Sequence, residues 1–276
     1  MRGSMTRNTD RKAANSITTT HADLNSQLPI SRLIRTWDLS RRKSLRSRWY
    51  SSSVLIVEES GKIVAELDSD LIQSSLKLLT SAHLDSFGAE WHHFVLNPPL
   101  SDGEIVTFES LHSISLPTEY RHFVSHIGNG GAGPFYGVFP LGQMDENYEL
   151  KSWHEGDGFV GVLSEPFPLR DAWNGLTGKP SEKLIDTNLA EYDRQLAKFE
   201  KVYWSPVRTN GAFPICHIGC ALRIWLIVSG AEAGHLWLDG RADNTGLSPL
   251  TLKDKSHATF SSWYQEWLDC AFEALH

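Results

Sequence analysis

Apolar positions fall into regular groups only beyond about residue 53 of this 276-residue chain. Residues 1–53 are rich in Ser, Thr, Asn and Arg with no periodic apolar face, so they are expected to bury little and to form a mobile basic segment. Val54-Leu55-Ile56-Val57 and Ile63-Val64-Ala65, with Gly61 between them, predict two strands joined by a turn. Asp68 or Ser69 can cap a helix that places Leu71, Ile72, Ser75, Leu76 and Leu79 on one face. Residues 54–99 thus read as an N-terminal extension packed on a main domain of residues 100–276.

In that main domain Ser101, Asp102 and Glu104 form a capping pattern for a helix carrying Ile105, Phe108, Leu111 and Ile114. Pro117 suits the start of a second helix, with Tyr120, Phe123, Val124 and Ile127 on one side. Gly128-Asn129-Gly130-Gly131 ends it, and residues 135–141 read as a short apolar strand. A helix is expected over residues 188–199. Residues 213–218, 221–228 and 235–238 predict three strands whose short, glycine-marked connections require antiparallel pairing. Phe260, Trp263, Tyr264, Trp267, Leu268, Ala271, Phe272 and Leu275 recur at three- and four-residue steps, the pattern of an amphipathic helix docked on a sheet. The expected class is α+β, a bent antiparallel sheet flanked by helices.

The net charge of −7 conceals an asymmetry. Residues 1–60 hold eleven of the 26 Lys and Arg and five of the 33 Asp and Glu, leaving fifteen basic and twenty-eight acidic residues, a balance of −13, for the rest. Such a body disfavours phosphate backbones and favours basic partners, which argues against nucleic acid as the main domain's ligand. The basic cluster Arg41-Arg42-Lys43, Arg46 and Arg48 reads as a solvated tail, the alternative being a patch for nucleic acid or an acidic surface. No apolar run approaches the ~20 residues of a membrane helix. Residues 1–26 lack the apolar segment of a signal peptide, so the expectation is a cytoplasmic protein with no membrane partner. Cys216, Cys220 and Cys270 are too few for a disulfide framework and are expected to be reduced and buried.

Candidate chemistry is sparse. Cys216-His217-x-x-Cys220 offers thiolate and imidazole, but a structural zinc site needs four ligands, and His235 is the only further candidate in the following strands. Alternation along a strand also sends Cys216 and His217 to opposite faces. His92-His93 raises the same question. His122 and His126 share a helix face, yet Glu does not follow the first His and no third ligand is evident, so solvated histidines are expected. There is no Gly-x-Ser-x-Gly elbow. The glycine run 128–133 follows a helix, whereas phosphate loops precede one. No catalytic residue, metal or cofactor is assigned. The acidic stretch Asp145, Glu146, Glu149, Glu155 and Asp157, with Trp153 inside it, is the candidate partner-binding site, the alternative being an ordinary acidic loop. Its carboxylates would steer a basic partner and the indole would be a buried anchor. Asp186, Glu191, Asp193 and Glu200 form a secondary candidate.

Three pieces in order carry a resemblance. They are Ser115-Leu116-Pro117-Thr118-Glu119-Tyr120-Arg121-His122-Phe123 running into Ile127-Gly128-Asn129-Gly130-Gly131, then Ile218-Gly219-Cys220-Ala221 through Gly234-His235-Leu236-Trp237-Leu238-Asp239, and finally Phe260-Ser261-Ser262-Trp263-Tyr264-Gln265-Glu266-Trp267-Leu268-Asp269. Together they resemble the SUKH superfamily, the Smi/Knr type of domain, over residues 100–276. The resemblance implies a non-enzymatic α+β domain. Bacterial members look like immunity proteins that neutralise a cognate secreted toxin, often a nuclease, whereas fungal members are regulators of cell-wall synthesis and signalling. The expected partner is accordingly a toxin with a basic face, or alternatively the partners of a regulatory scaffold. The signature residues themselves are packing residues, with Trp237, Trp263 and Trp267 expected in the core.

Overall fold

The computed structural model describes residues 53–57, 63–84, 86–146, 149–155 and 159–275, so the expectations for the basic N-terminal segment lie outside the described residues. Strands β1 (Ser53–Val57) and β2 (Ile63–Leu67) pair antiparallel, as their β-branched runs predict. Helix α1 (Ser69–Ser81) follows at once, because the Asp68 carboxylate accepts from the Leu71 amide at 2.9 Å and satisfies one of the first-turn donors. Its buried Ile72, Leu76 and Leu79 belong to the same hydrophobic cluster as the sheet and the last helix. One short helix, α2 (Ala89–His92), lies between this region and the main domain.

The capping box at Ser101 forms as expected and starts α3 (Asp102–His112): Ser101 N donates to the Glu104 carboxylate and Glu104 N to the Ser101 hydroxyl. The helix is shorter than its apolar spacing suggests. Ser113 turns left-handed at φ +53°, which leaves Ile114 outside the helix, and Leu111 faces solvent at 75% exposure. Helix α4 (Thr118–His122) runs into a π-helical turn, Phe123–Ile127, and the two bury Tyr120, Phe123, Val124 and Ile127.

The glycine run then folds against the chain before α3. Gly131, at φ +96°, exchanges two 2.8 Å backbone bonds with Val138, and a Cβ there would stand 2.5 Å from the Val95 carbonyl oxygen. The strand expected at residues 135–141 does not form. Pro134 and Pro140 lack amide donors, and Phe135 and Gly137 take positive φ, so only single bridges from Val138 to Gly131 and Cys216 survive. This segment instead covers the outer edge of the main sheet, with Phe139 N donating to Ile215 O at 2.7 Å.

A hairpin, β3 (Gln143–Glu146) with β4 (Glu149–Ser152), precedes two helices, α5 (Lys183–Thr187) and α6 (Leu189–Tyr203), the latter capped by Asn188. The four-stranded antiparallel sheet follows, in the order β5 (Ala212–Gly219), β6 (Leu222–Ile227), β7 (Leu236–Gly240), β8 (Gly246–Pro249). Register assigns its faces. Pro214, Trp225, Trp237 and Pro249 align across the strands on one side, where Phe159 packs on Trp225 and Phe167 on Trp237. Phe213, Leu226 and Leu236 align on the other, against Tyr120 and Phe108. Both faces are covered, which explains apolar runs without alternation.

Helix α7 (Phe260–Glu273) buries Trp263, Tyr264 and Trp267 as its spacing requires. The architecture is therefore α+β, with antiparallel sheets and flanking helices. Beyond β7, Arg241 is 1% exposed and donates through Nε (2.9 Å) and Nη2 (2.6 Å) to the Asp239 carboxylate, under the Trp204 ring at 4.9 Å. Pairing, hydrogen bonding and the indole face offset part of the cost of burying the two charges, while Nη1 is buried without a hydrogen bond. Among the described residues no helix is long and apolar enough to cross a membrane.

Two stability predictions follow from this packing. The Trp267 ring stacks on Phe94 and meets His92 and Tyr264 edge-on, so Trp267→Ala should cost roughly 3 to 5 kcal/mol in urea unfolding. His92 accepts from the Phe94 amide through Nδ1 at 3.0 Å, and burial holds its pKa down from 6.5 to about 4. Protonation would remove that acceptor. Because the unfolded chain takes up the proton first, the stability tied to neutral His92 is present above pH ~6.5 and lost as pH falls towards 4, in total roughly 3 kcal/mol. His92→Asn keeps an acceptor without titrating there and should flatten the acid limb of a stability–pH curve.

Candidate functional site

The acidic stretch is not a loop standing clear of the fold. Asp145 ties its hairpin to the main sheet: Oδ1 accepts from Arg223 Nε at 3.1 Å, Oδ2 lies 3.3 Å from His217 Nδ1, and the Asp145 carbonyl accepts from Arg223 Nη2 at 3.2 Å. Glu155 turns inward, accepting from the Leu163 amide at 2.7 Å and facing His112 Nδ1 at 3.2 Å. Trp153 stacks on Phe213 with centroids 5.8 Å apart and meets Phe108 at 6.0 Å and His112 at 5.6 Å. The indole expected to anchor a partner is half-buried and holds the end of the hairpin against these rings. Glu149 is exposed at the start of β4, beside exposed Leu150. The Glu146 side chain and Asp157 lie outside the described residues. In the secondary candidate Glu191 accepts from Arg194 and Gln195 on its own helix, while Asp186, Asp193 and Glu200 are exposed.

What the spacing did not mark is an aromatic cluster beside this latch. Phe87 meets Phe135 at 6.4 Å and Tyr136 at 5.1 Å, and Trp91 meets Tyr136 at 5.7 Å, all edge to face. Phe87 is nevertheless 48% exposed and Trp91 55%. The close approach depends on Gly88, at φ +84°, where any Cβ would fall 1.7 Å from the Phe135 carbonyl oxygen. Tyr136 in turn stacks on His217 at 5.3 Å, so aromatic patch, His217, Asp145 and hairpin are continuous. In sequence, Phe87 and Trp91 cannot be told from core aromatics, since spacing gives a face and not its covering.

The β5–β6 turn borders the same surface. Its two central residues, Cys220 and Ala221, sit at φ +49° and +60°, the sign of a primed hairpin turn that glycine or asparagine usually fills. Non-glycine residues there carry strain on the order of 1–3 kcal/mol each. Next to them the Tyr136 ring lies over Gly219.

Two titratable side chains beside this surface are shifted by burial. Cys216 is fully buried, its Sγ donates to Pro134 O at 3.3 Å, and burial with the Asp145 charge pushes its thiol well above the usual range. It is held as a thiol, not a nucleophile. Burial also lowers the His217 pKa, against the opposing pull of Asp145 and with help from Arg223. The histidines expected to be solvated divide. His126 carries a 2.6 Å contact from Ser125 Oγ, and His122 stacks on it at 4.8 Å while its Nε2 lies 3.1 Å from Leu67 O, which ties α4 to the β2 end.

Of the three cysteines expected to be buried, Cys220 is exposed and Cys216 and Cys270 are buried, the latter two with raised pKa. A thiol-reactive dye on the native chain should therefore give one fast and two slow thiols, and Cys220→Ser should remove the fast phase alone. Three comparable rates would contradict the packing. Comparison with protein-family models, with curated proteins and with solved structures finds no match for this chain.

Proposed function

We propose that the chain is a non-enzymatic protein-binding module, an immunity protein that neutralises a secreted toxin by covering a basic face of it. The observation that carries this reading is the pair of exposed rings Phe87 and Trp91 on half-buried Tyr136, fixed through His217 and Asp145 to a hairpin that presents Glu149. Binding energy at protein interfaces concentrates in rigid, exposed aromatic groups, and surrounding charge sets the encounter rate. The −13 balance beyond residue 60 supports a basic partner, as a protein that grips nucleic acid must be. The signature segments support the immunity reading in a second way: they pack on one another, Tyr120 against Phe260 at 5.0 Å and Phe123 against Tyr264 at 5.1 Å, and so leave recognition to neighbouring surfaces.

Affinity capture from the source cells, followed by surface plasmon resonance against the captured toxin at two salt concentrations, tests this. Trp91→Ala should raise the dissociation rate, with a loss of about 2 kcal/mol or more. Glu149→Lys should slow association and weaken its salt dependence. Trp153→Ala should act through a lower unfolding midpoint. Wild-type rates for both surface variants would move the interface elsewhere, and failure of the chain to protect cells expressing the toxin would sink the immunity reading.

A further inference from the structure

The turn between β6 and β7 assembles side chains that the aromatic surface does not use. Glu232 and His235 lie on it, and His257 lies on the segment that returns beside β7 before α7. One ligand atom from each falls within 4.8 Å of the other two. Glu232 Oε2 and His235 Nδ1 face each other at 3.4 Å, both atoms are buried, and neither makes a hydrogen bond. Buried lone pairs left in that state are costly unless something satisfies them. The His235 and His257 rings meet edge to face at 5.7 Å.

The backbone beneath the three is fixed on both sides. His235 N donates to Glu232 O at 3.0 Å, Ile227 N to His235 O at 3.0 Å and Gly234 N to Ile227 O at 2.9 Å. On the other strand Leu236 N donates to Ala258 O and Ala258 N to Leu250 O, both at 2.9 Å, which sets His257 one residue before a doubly bonded position. Side-chain rotation alone therefore governs the distance between the ligands.

The geometry points to a divalent transition-metal site, filled by zinc, with Glu232, His235 and His257 as its protein ligands. Two imidazoles and a carboxylate are a donor set that zinc takes in three-ligand sites, the fourth position being left to water or to an incoming group. Magnesium and calcium select oxygen donors instead. Zinc–ligand bonds of about 2.0–2.2 Å set tetrahedral ligand separations near 3.4 Å, so the cluster must contract by roughly 1 Å. The exposed side chain of His257 has room to supply that movement. A bound ion would join the β6–β7 turn to the segment entering α7, so binding couples to stability. This departs from the expectation of no metal, because His257 stands twenty-two residues after His235 and only the fold brings them together.

Isothermal titration of zinc into the chelator-stripped full chain tests the site. The expected result is one zinc per chain, an unfolding temperature that rises with zinc, and an affinity lowered about tenfold or more in His257→Ala and Glu232→Gln, at least what loss of a supporting group costs. His257 is exposed, so its variant should keep the metal-free melting temperature. Cys220→Ser, which removes the exposed thiol, should bind as wild type does, and cobalt in place of zinc should show no thiolate charge-transfer band. No bound zinc, wild-type affinity in His257→Ala and Glu232→Gln, or loss of binding in Cys220→Ser would overturn the assignment.

Discussion

The docking of α7 against the π-helical turn and the glycine run is the contact on which the rest of the structure depends. The Tyr264 hydroxyl donates to the Ala132 carbonyl at 2.9 Å in a fully buried setting, and burial drives its pKa upward, so the group remains a donor. Around it Phe123, Phe260 and Trp267 surround the ring within about 6 Å. At the helix start Ser261 N donates to Glu119 at 2.9 Å, which joins α4 to a first-turn donor of α7. Because Ala132 lies in the segment that folds back on Val95 and Val138, the same contact positions Phe135 and Tyr136, and with them the outer aromatic surface.

Helices α1, α3, α4, α6 and α7 and three of the four strands of the main sheet were legible because their cues are local: a capping aspartate before α1, the Ser101–Glu104 box, a repeating aromatic face in α7. Other elements carry no such cue. Strand β8 is Gly-Leu-Ser-Pro, a composition that reads as a turn, and it exists because Trp237, Leu238, Asp239 and Gly240 offer it a ladder. Helix α5 buries no residue, so no apolar face announces it. The candidate surface was half legible. Its acids were visible as a cluster, but whether a carboxylate faces solvent or a guanidinium depends on residues as distant as Arg223, seventy-eight positions from Asp145. The packing of Trp153 was hidden for the same reason, since its partners Phe108 and Phe213 come from either side of it in sequence.

Two ion pairs show how differently the chain uses buried carboxylates. Asp239 and Arg241 are neighbours on one strand end, so their pairing closes a local structure whose removal would strand a charge in the interior. Asp145 pairs across separate sheets with Arg223 and His217, and its role is to hold one element against another. The first closes a turn, and the second ties the hairpin to the sheet.

The two-residue link at Cys220 and Ala221 also limits how the chain can change in length. Successive side chains of β6 point to opposite faces, so one residue added there and carried into the ladder would send Trp225 to the helix side and Leu226 to the side of Phe159 and Phe167, exchanging large and small volumes on both. Only an insertion that bulges outward could be absorbed. The exposed turn at residues 177–179, before α5, belongs to no strand and has no such register to keep. Growth or shortening of this protein over evolutionary time is thereby directed to that exposed turn, while the turn at residues 220–221 keeps a fixed length.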